Sequence, residues 1–165
     1  MKFPLLLLAA AVLTSACSKG APIAAGSEVK MHYTLTVEGA VVDSSVGKEP
    51  FPYKHGGGMI VPGLEAQMAG HKAGDKFTAR VAPKDGYGEH NPAGVKTVPW
   101  KAFGGKANAA KLVVGQLVSG EAGGRPFQAK VVKLAGDGVV LDLNHPLAGK
   151  TLEFAVEVLE VKAPT

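Results

Sequence analysis

The chain has 165 residues, a formal net charge of +4 at pH 7 and a single cysteine. That length admits one ordinary domain or two small ones. One thiol excludes an internal disulfide, and the absence of a repeat of about 20 to 50 residues excludes a solenoid. The first element is an export leader rather than fold. Lys2 supplies a positive start, residues 5–13 form an unbroken apolar run, and Thr14-Ser15-Ala16 place small residues ahead of Cys17, the plan of a signal peptide over residues 1–16. The run falls well short of the ~20 apolar residues that a membrane span needs.

Leu13-Thr14-Ser15-Ala16-Cys17 resembles the lipobox of bacterial lipoproteins, with Thr14 where that group usually has an aliphatic residue. The resemblance implies acyl chains on Cys17, several of which together anchor stably to a membrane. Ser18 resembles the outer-membrane sorting pattern, so the expected location is the outer membrane, facing the periplasm. Export argues against nucleic acid as a partner. Residues 17–26 then read as the lipidated cysteine and a tether poor in large side chains.

From Val29 a period of two sets in. Val29, Met31, Tyr33, Leu35 and Val37 alternate with Lys30, His32, Thr34 and Thr36, as in a half-buried antiparallel strand. Glu38-Gly39 turns the chain into Ala40-Val41-Val42-Asp43. His55-Gly56-Gly57-Gly58 is a loop without the Lys-Ser or Lys-Thr pair, or the G-x-G-x-x-G spacing, of a phosphate cradle. Pro62 opens a short helix with Leu64 and Met68 on one face and Gly70 at its end. Residues 76–81 alternate again, and residues 151–158 alternate most clearly, through Leu152, Phe154, Val156 and Val158. These segments predict one sheet.

Residues 91–140 interrupt it. They hold β-like segments at 112–114, 127–132 and 139–143, and Pro99 starts a helical turn reaching Phe103. They also carry Lys96, Lys101, Lys106, Lys111, Arg125, Lys130 and Lys133 against Glu121 and Asp137, a basic insert in a mildly acidic body. Lys96, Lys101, Lys106 and Lys111 recur every five residues, which spreads them around a helix; solvation explains them, and attraction of acidic clients or anionic headgroups is the alternative.

Gly56-Gly57-Gly58-Met59-Ile60-Val61-Pro62-Gly63-Leu64-Glu65 resembles the segment leading into the helix of FKBP-type peptidyl-prolyl isomerases. Ala40-Val41-Val42-Asp43-Ser44-Ser45, Gly74-Asp75-Lys76, Asp85-Gly86-Tyr87-Gly88 and Asn144-His145-Pro146-Leu147-Ala148-Gly149-Lys150-Thr151-Leu152 resemble further motifs of that family, in the same order. More than fifty residues separate the Tyr87 motif from the last strand, where a plain member has about twenty; the interruption resembles the insert-in-flap of the SlyD group.

The resemblance implies an α+β fold. An FKBP-like antiparallel sheet, split across 27–90 and 141–162, curves over one short helix and is interrupted by a small, mostly β insert at 91–140. It implies a prolyl isomerase needing no cofactor, with polypeptide clients, and the chain is expected to be a monomer. The catalytic residues by resemblance are Tyr33, Asp43, Tyr87 and Phe154, with Val42, Phe51, Ile60, Val61, Leu64 and His145 lining the substrate pocket. Leu64 stands where many members have Trp, and Val42 where many have Phe, implying a shallower cup. Val98, Trp100, Phe103, Leu112, Val113 and Val114 are the expected client surface of the insert, or the core beneath it. The five histidines are scattered without metal-ligand spacing, and the chain lacks the His- and Cys-rich tail of many SlyD members, so no metal site is expected. Two other readings stay open: a holdase that keeps the fold as a scaffold, and a ligand-binding lipoprotein.

Overall fold

The computed structural model describes residues 20–122 and 124–164. The predicted leader and Cys17 lie outside the described residues. In chain order the first sheet receives β1 (Glu28–Val37), β2 (Ala40–Ser44) and β3 (Phe51–Lys54), followed by α1 (Pro62–Met68) and β4 (Lys76–Val81). The chain then builds β5 (Val95–Pro99), a 3-10 turn (Trp100–Phe103), α2 (Lys106–Ala109), β6 (Leu117–Ala122), β7 (Arg125–Leu134) and β8 (Gly138–Asp142). It returns to the first sheet as β9 (Leu152–Lys162).

All pairing in the two sheets is antiparallel. In the first, β9 lies between β1 and β4, while the opposite edge of β1 is shared by β3 at Glu28–Met31 and β2 at Thr34–Val37. The alternation of β1 and β9 puts Val29, Met31, Leu35, Val37, Leu152, Phe154, Val156 and Val158 into one core, as a period-two pattern with one buried face requires. Leu64 and Met68, one turn apart, press α1 onto that face. The helix lies so close to β4 that a Cβ on Gly63 would sit 2.6 Å from Val81 Cγ1 and 2.9 Å from Asp85 Cβ. The α+β architecture with a single longer helix under the first sheet agrees with expectation.

The second sheet runs β5-β8-β7-β6. Its small core consists of Ala109, Ala129, Val131, Val139 and Leu141, with Val98, Trp100, Phe103, Leu112, Val118 and Phe127 packed against it. Two expectations need correction. Residues 112–114 form no strand: Gln116 N–H donates to Val113 O, the Gln116 side chain accepts from Val113 N–H, and Gly115 takes φ 91°, so the valines sit in a turn and the strand begins at Leu117. The last strand of the insert runs to Asp142, past the expected boundary at 140, because β8 supplies the shared partner of β5 and β7.

The two crossings between the sheets are tied together by polar side chains. Asn91 N–H donates to Asn144 Oδ1 at 3.0 Å, and Asn144 Nδ2 donates to Asn91 O at 2.9 Å and to Asp142 Oδ1 at 2.6 Å. His90 Nε2 lies 2.8 Å from Asp142 Oδ2. Gly149 N–H donates to Gly88 O, bringing the loop after the insert against the loop before it.

Candidate active site

Register brings the site together. Met31, Tyr33 and Leu35 share one face of β1; Phe51 pairs with Met31, Asp43 and Phe154 with Leu35. Ile60 and Val61 enter from the loop before α1, Leu64 from its first turn, and Tyr87 from the loop after β4. Together with Met59 these side chains line a cavity of about 130 Å³. A cavity of roughly 150 Å³ accepts one benzene ring, so this cup fits a single small ring.

Its walls are aromatic and aliphatic. Tyr33 meets Phe51 edge-on with ring centroids 5.7 Å apart, and Phe154 at 6.3 Å and 59°, both within the range of favourable aromatic pairs. The two tyrosine hydroxyls differ. Tyr33 OH donates to Asp43 Oδ2 at 2.6 Å, and Asp43 Oδ1 accepts from Ser44 N–H at 2.8 Å. Burial, and then the hydrogen bond to Asp43, push the Tyr33 pKa up to about 12, so it remains a donor at any physiological pH. The Tyr87 hydroxyl makes no hydrogen bond to the described residues, and Tyr87 is 41% exposed. Its ring stacks on His145, with centroids 3.9 Å apart and planes 8° from parallel. His145 Nδ1 in turn accepts from Leu147 N–H, which sets the imidazole in place.

Tyr33, Asp43, Phe51, Ile60, Val61, Leu64, Tyr87 and Phe154 thus meet around one cavity. His145 reaches it through Tyr87. Val42 does not: it is 48% exposed and falls where the β1–β2 register skips a residue, between the Leu35–Asp43 and Thr36–Val41 pairs. Neighbouring strand residues point to opposite faces, so with Asp43 turned to the cavity Val42 turns away. Sequence reasoning missed Met31, Leu35 and Met59 as lining residues. Met31 and Leu35 were legible as the flanks of Tyr33 on one alternating face; nothing in the glycine-rich stretch signalled Met59.

On the insert, Val98, Phe103 and Leu112 line a groove of about 880 Å³. Trp100 packs into the adjoining core, its indole N–H donating to Gly136 O at 3.1 Å. Val113 and Val114 lie in their turn, 66% and 61% exposed, outside the groove. Leu117, Val118, Phe127, Leu141 and Leu143 line it instead. A third hollow, of about 340 Å³, shares Met59 with the aromatic cup but is rimmed by the Lys30–Glu160 ion pair and offers no free hydroxyl. Among the described residues no three His, Cys, Asp or Glu side chains gather as a metal site would require.

The family model for FKBP-type peptidyl-prolyl cis-trans isomerases matches residues 19–159. The chain belongs to that family. It is SlyD-like: it is 43% identical over 136 residues to the FKBP-type peptidyl-prolyl cis-trans isomerase SlyD of Vibrio cholerae, covering 82% of this chain and 66% of that protein. The corresponding figures for the Escherichia coli K12 SlyD are 37% over 138 residues, 83% and 69%. A Pseudomonas fluorescens protein named "Probable FKBP-type 16 kDa peptidyl-prolyl cis-trans isomerase" is 41% identical over 143 residues, 86% of this chain and 93% of its own length. The chain thus spans about two thirds of the SlyD proteins it matches. As in the rest of the family, the chemistry is rotation about an X–Pro bond, and the aromatic cup is the candidate place for it.

Proposed function

We propose that this SlyD-like isomerase accelerates proline isomerisation in unfolded clients at the cell envelope, holding each client on the insert while the aromatic cup twists the bond. Rotation about the amide meets a barrier of about 18–20 kcal/mol because its resonance must be broken. No covalent bond to a heavy atom forms, so catalysis needs only tighter binding of the twisted amide than of either planar form. The twisted amide has less charge separation, which a cup walled by Phe51, Ile60, Val61, Leu64 and Phe154 favours over water.

One observation carries the assignment of roles: of the two hydroxyls at the cup, Tyr33's is committed to Asp43 and Tyr87's is not. Tyr87 is therefore the donor left for a substrate carbonyl. Asp43 holds Tyr33 in place and keeps an acidic group at the edge of the cup. A proline-limited refolding assay tests this. Acceleration by the wild-type chain is expected, and none at all would overturn the reading.

The envelope location rests on the leader and on Cys17, which we take as the acylated anchor. Cys17→Ala should move the protein from the membrane fraction to the soluble one; retention in the membrane would overturn the anchor. The groove on the insert, several times larger than the cup, favours a second reading, client holding without catalysis. An aggregation-prevention assay run beside the refolding assay separates the two.

A further inference from the structure

The apolar face of the second sheet is covered over only part of its area. The segment carrying Trp100, Phe103 and Ala109 packs over Ala129, Val131 and Val139. The rest of the face is the open groove of about 880 Å³, which crosses all four strands: Val98 on β5, Leu141 on β8, Phe127 on β7 and Val118 on β6. Gly120 makes that floor possible, since a Cβ there would stand 2.8 Å from the Phe127 ring. A small domain with an unfinished core lowers its free energy by accepting apolar side chains from outside.

The charge around this hollow is one-sided. Lys96 and Arg125 line it, with Glu121 the one carboxylate among its lining residues. Lys101, Lys106 and Lys111 sit on the covering segment. None of these cations forms an ion pair among the described residues, although Lys30, Lys76, Arg80, Lys84, Lys150 and Lys162 in the first sheet and its loops all do. Unpaired cations beside a greasy hollow complement a ligand that is apolar in the middle and anionic at its flanks.

We infer that the groove selects unfolded polypeptide segments in which a short apolar cluster is flanked by Asp or Glu. This rests on the client-holding reading above and narrows it. Apolar side chains complete the sheet's core over Phe127 and Leu141, while flanking carboxylates meet Lys96 at one end and Arg125 at the other. Because these cations are exposed, their attraction reaches about 10 Å at 0.1 M salt and fades above that concentration.

The test is calorimetric titration of the full chain, held in zwitterionic nanodiscs, with short proline-free peptides sharing one apolar cluster flanked by Glu, by Ser or by Lys. The Glu peptide is expected to bind about tenfold tighter than the Ser peptide at low salt, with the Lys peptide weakest. The spread should shrink at high salt and collapse in the charge-neutral Lys96→Gln/Arg125→Gln variant. Equal affinities at low salt, or a spread that survives in the variant, would overturn the charge preference while leaving client holding intact. No binding of any peptide would overturn both. Charge-dependent binding to phosphatidylglycerol vesicles without discrimination among the peptides would assign the cations to lipid headgroups and reject the peptide preference.

Discussion

In the five-stranded sheet, Lys30 pairs with Glu160, Lys76 with Glu157 and Arg80 with Glu153 across neighbouring strands, and α1 packs Leu64 and Met68 onto the apolar face. In the four-stranded sheet the basic residues have no ion-pair partners among the described residues, and the covering segment leaves a groove. Exposed ion pairs add only about 0–1 kcal/mol each, so the contrast says little about stability. It says what each surface is available for. The aromatic cup of the body is small and fixed by packing, of the size of a single small ring; the insert offers a broad hollow whose contents are not fixed in advance. Twisting a bond demands a defined geometry, whereas retaining an unfolded chain is favoured by breadth.

The largest expected effect tests whether the groove is truly open. Leu152→Ala, at a fully buried site on β9, should cost about 3 kcal/mol in urea unfolding. Phe127→Ala, on the floor of the groove, should cost about 1 kcal/mol, because its ring is only partly covered. Comparable losses would mean that the groove is core and the comparison false.

Next in size is the effect of separating the regions. Replacing residues 92–143 with a short glycine linker keeps Tyr87 and His145 and removes the second sheet. Turnover of a proline-containing tetrapeptide should stay within about twofold, while proline-limited refolding of an unfolded protein should slow by about 10²-fold, the scale of a lost tethering effect. Equal loss on both substrates would show that the insert supports the cup rather than supplying it. Smaller again is the effect of Tyr87→Phe, which preserves the stack on His145 and removes only the uncommitted hydroxyl. Isomerisation should fall about tenfold, the worth of one hydrogen bond, with aggregation prevention unchanged. An unaffected rate would remove Tyr87 as the donor.

How far the sequence revealed these regions follows from the same contrast. The body was legible because its strands are long, bury one face and alternate strictly, so Tyr33, Phe154 and their neighbours could be assigned to one side before any register was known. Val42 was placed at the cup by resemblance; the β1–β2 register skips it and leaves it exposed outside the cavity lining, and short-range pattern carries no sign of that skip. The insert was less legible because its core is small. Apolar residues such as Val113, Val114 and Leu117 stand exposed, so hydrophobicity there no longer marks the buried face. Leu112-Val113-Val114 looks like a strand by composition, and Gly115 alone hinted at the turn.

The smallest effect sets the two regions at opposite ends of the pH scale. Tyr33 is held protonated in the folded body, its pKa raised to about 12 by burial and by Asp43, above the ~10 of an unfolded chain. The stability it contributes is complete below about pH 10 and is lost as pH climbs through 12. At the junction of the insert, burial of Asp142 favours its neutral form, but hydrogen bonds from His90 and Asn144 outweigh this and depress its pKa below the usual 3.8. Its contribution is complete above that value and disappears as pH falls through the depressed one. Thermal unfolding of wild type and Asp142→Asn should therefore differ by about 1 kcal/mol at neutral pH and converge below pH 3.8. Tyr33→Phe should instead converge with wild type only at the alkaline limit. If both variants converged with wild type at the same end, the junction and the cup would be titrating as one unit, and the division between a catalytic body and a separate insert would fail.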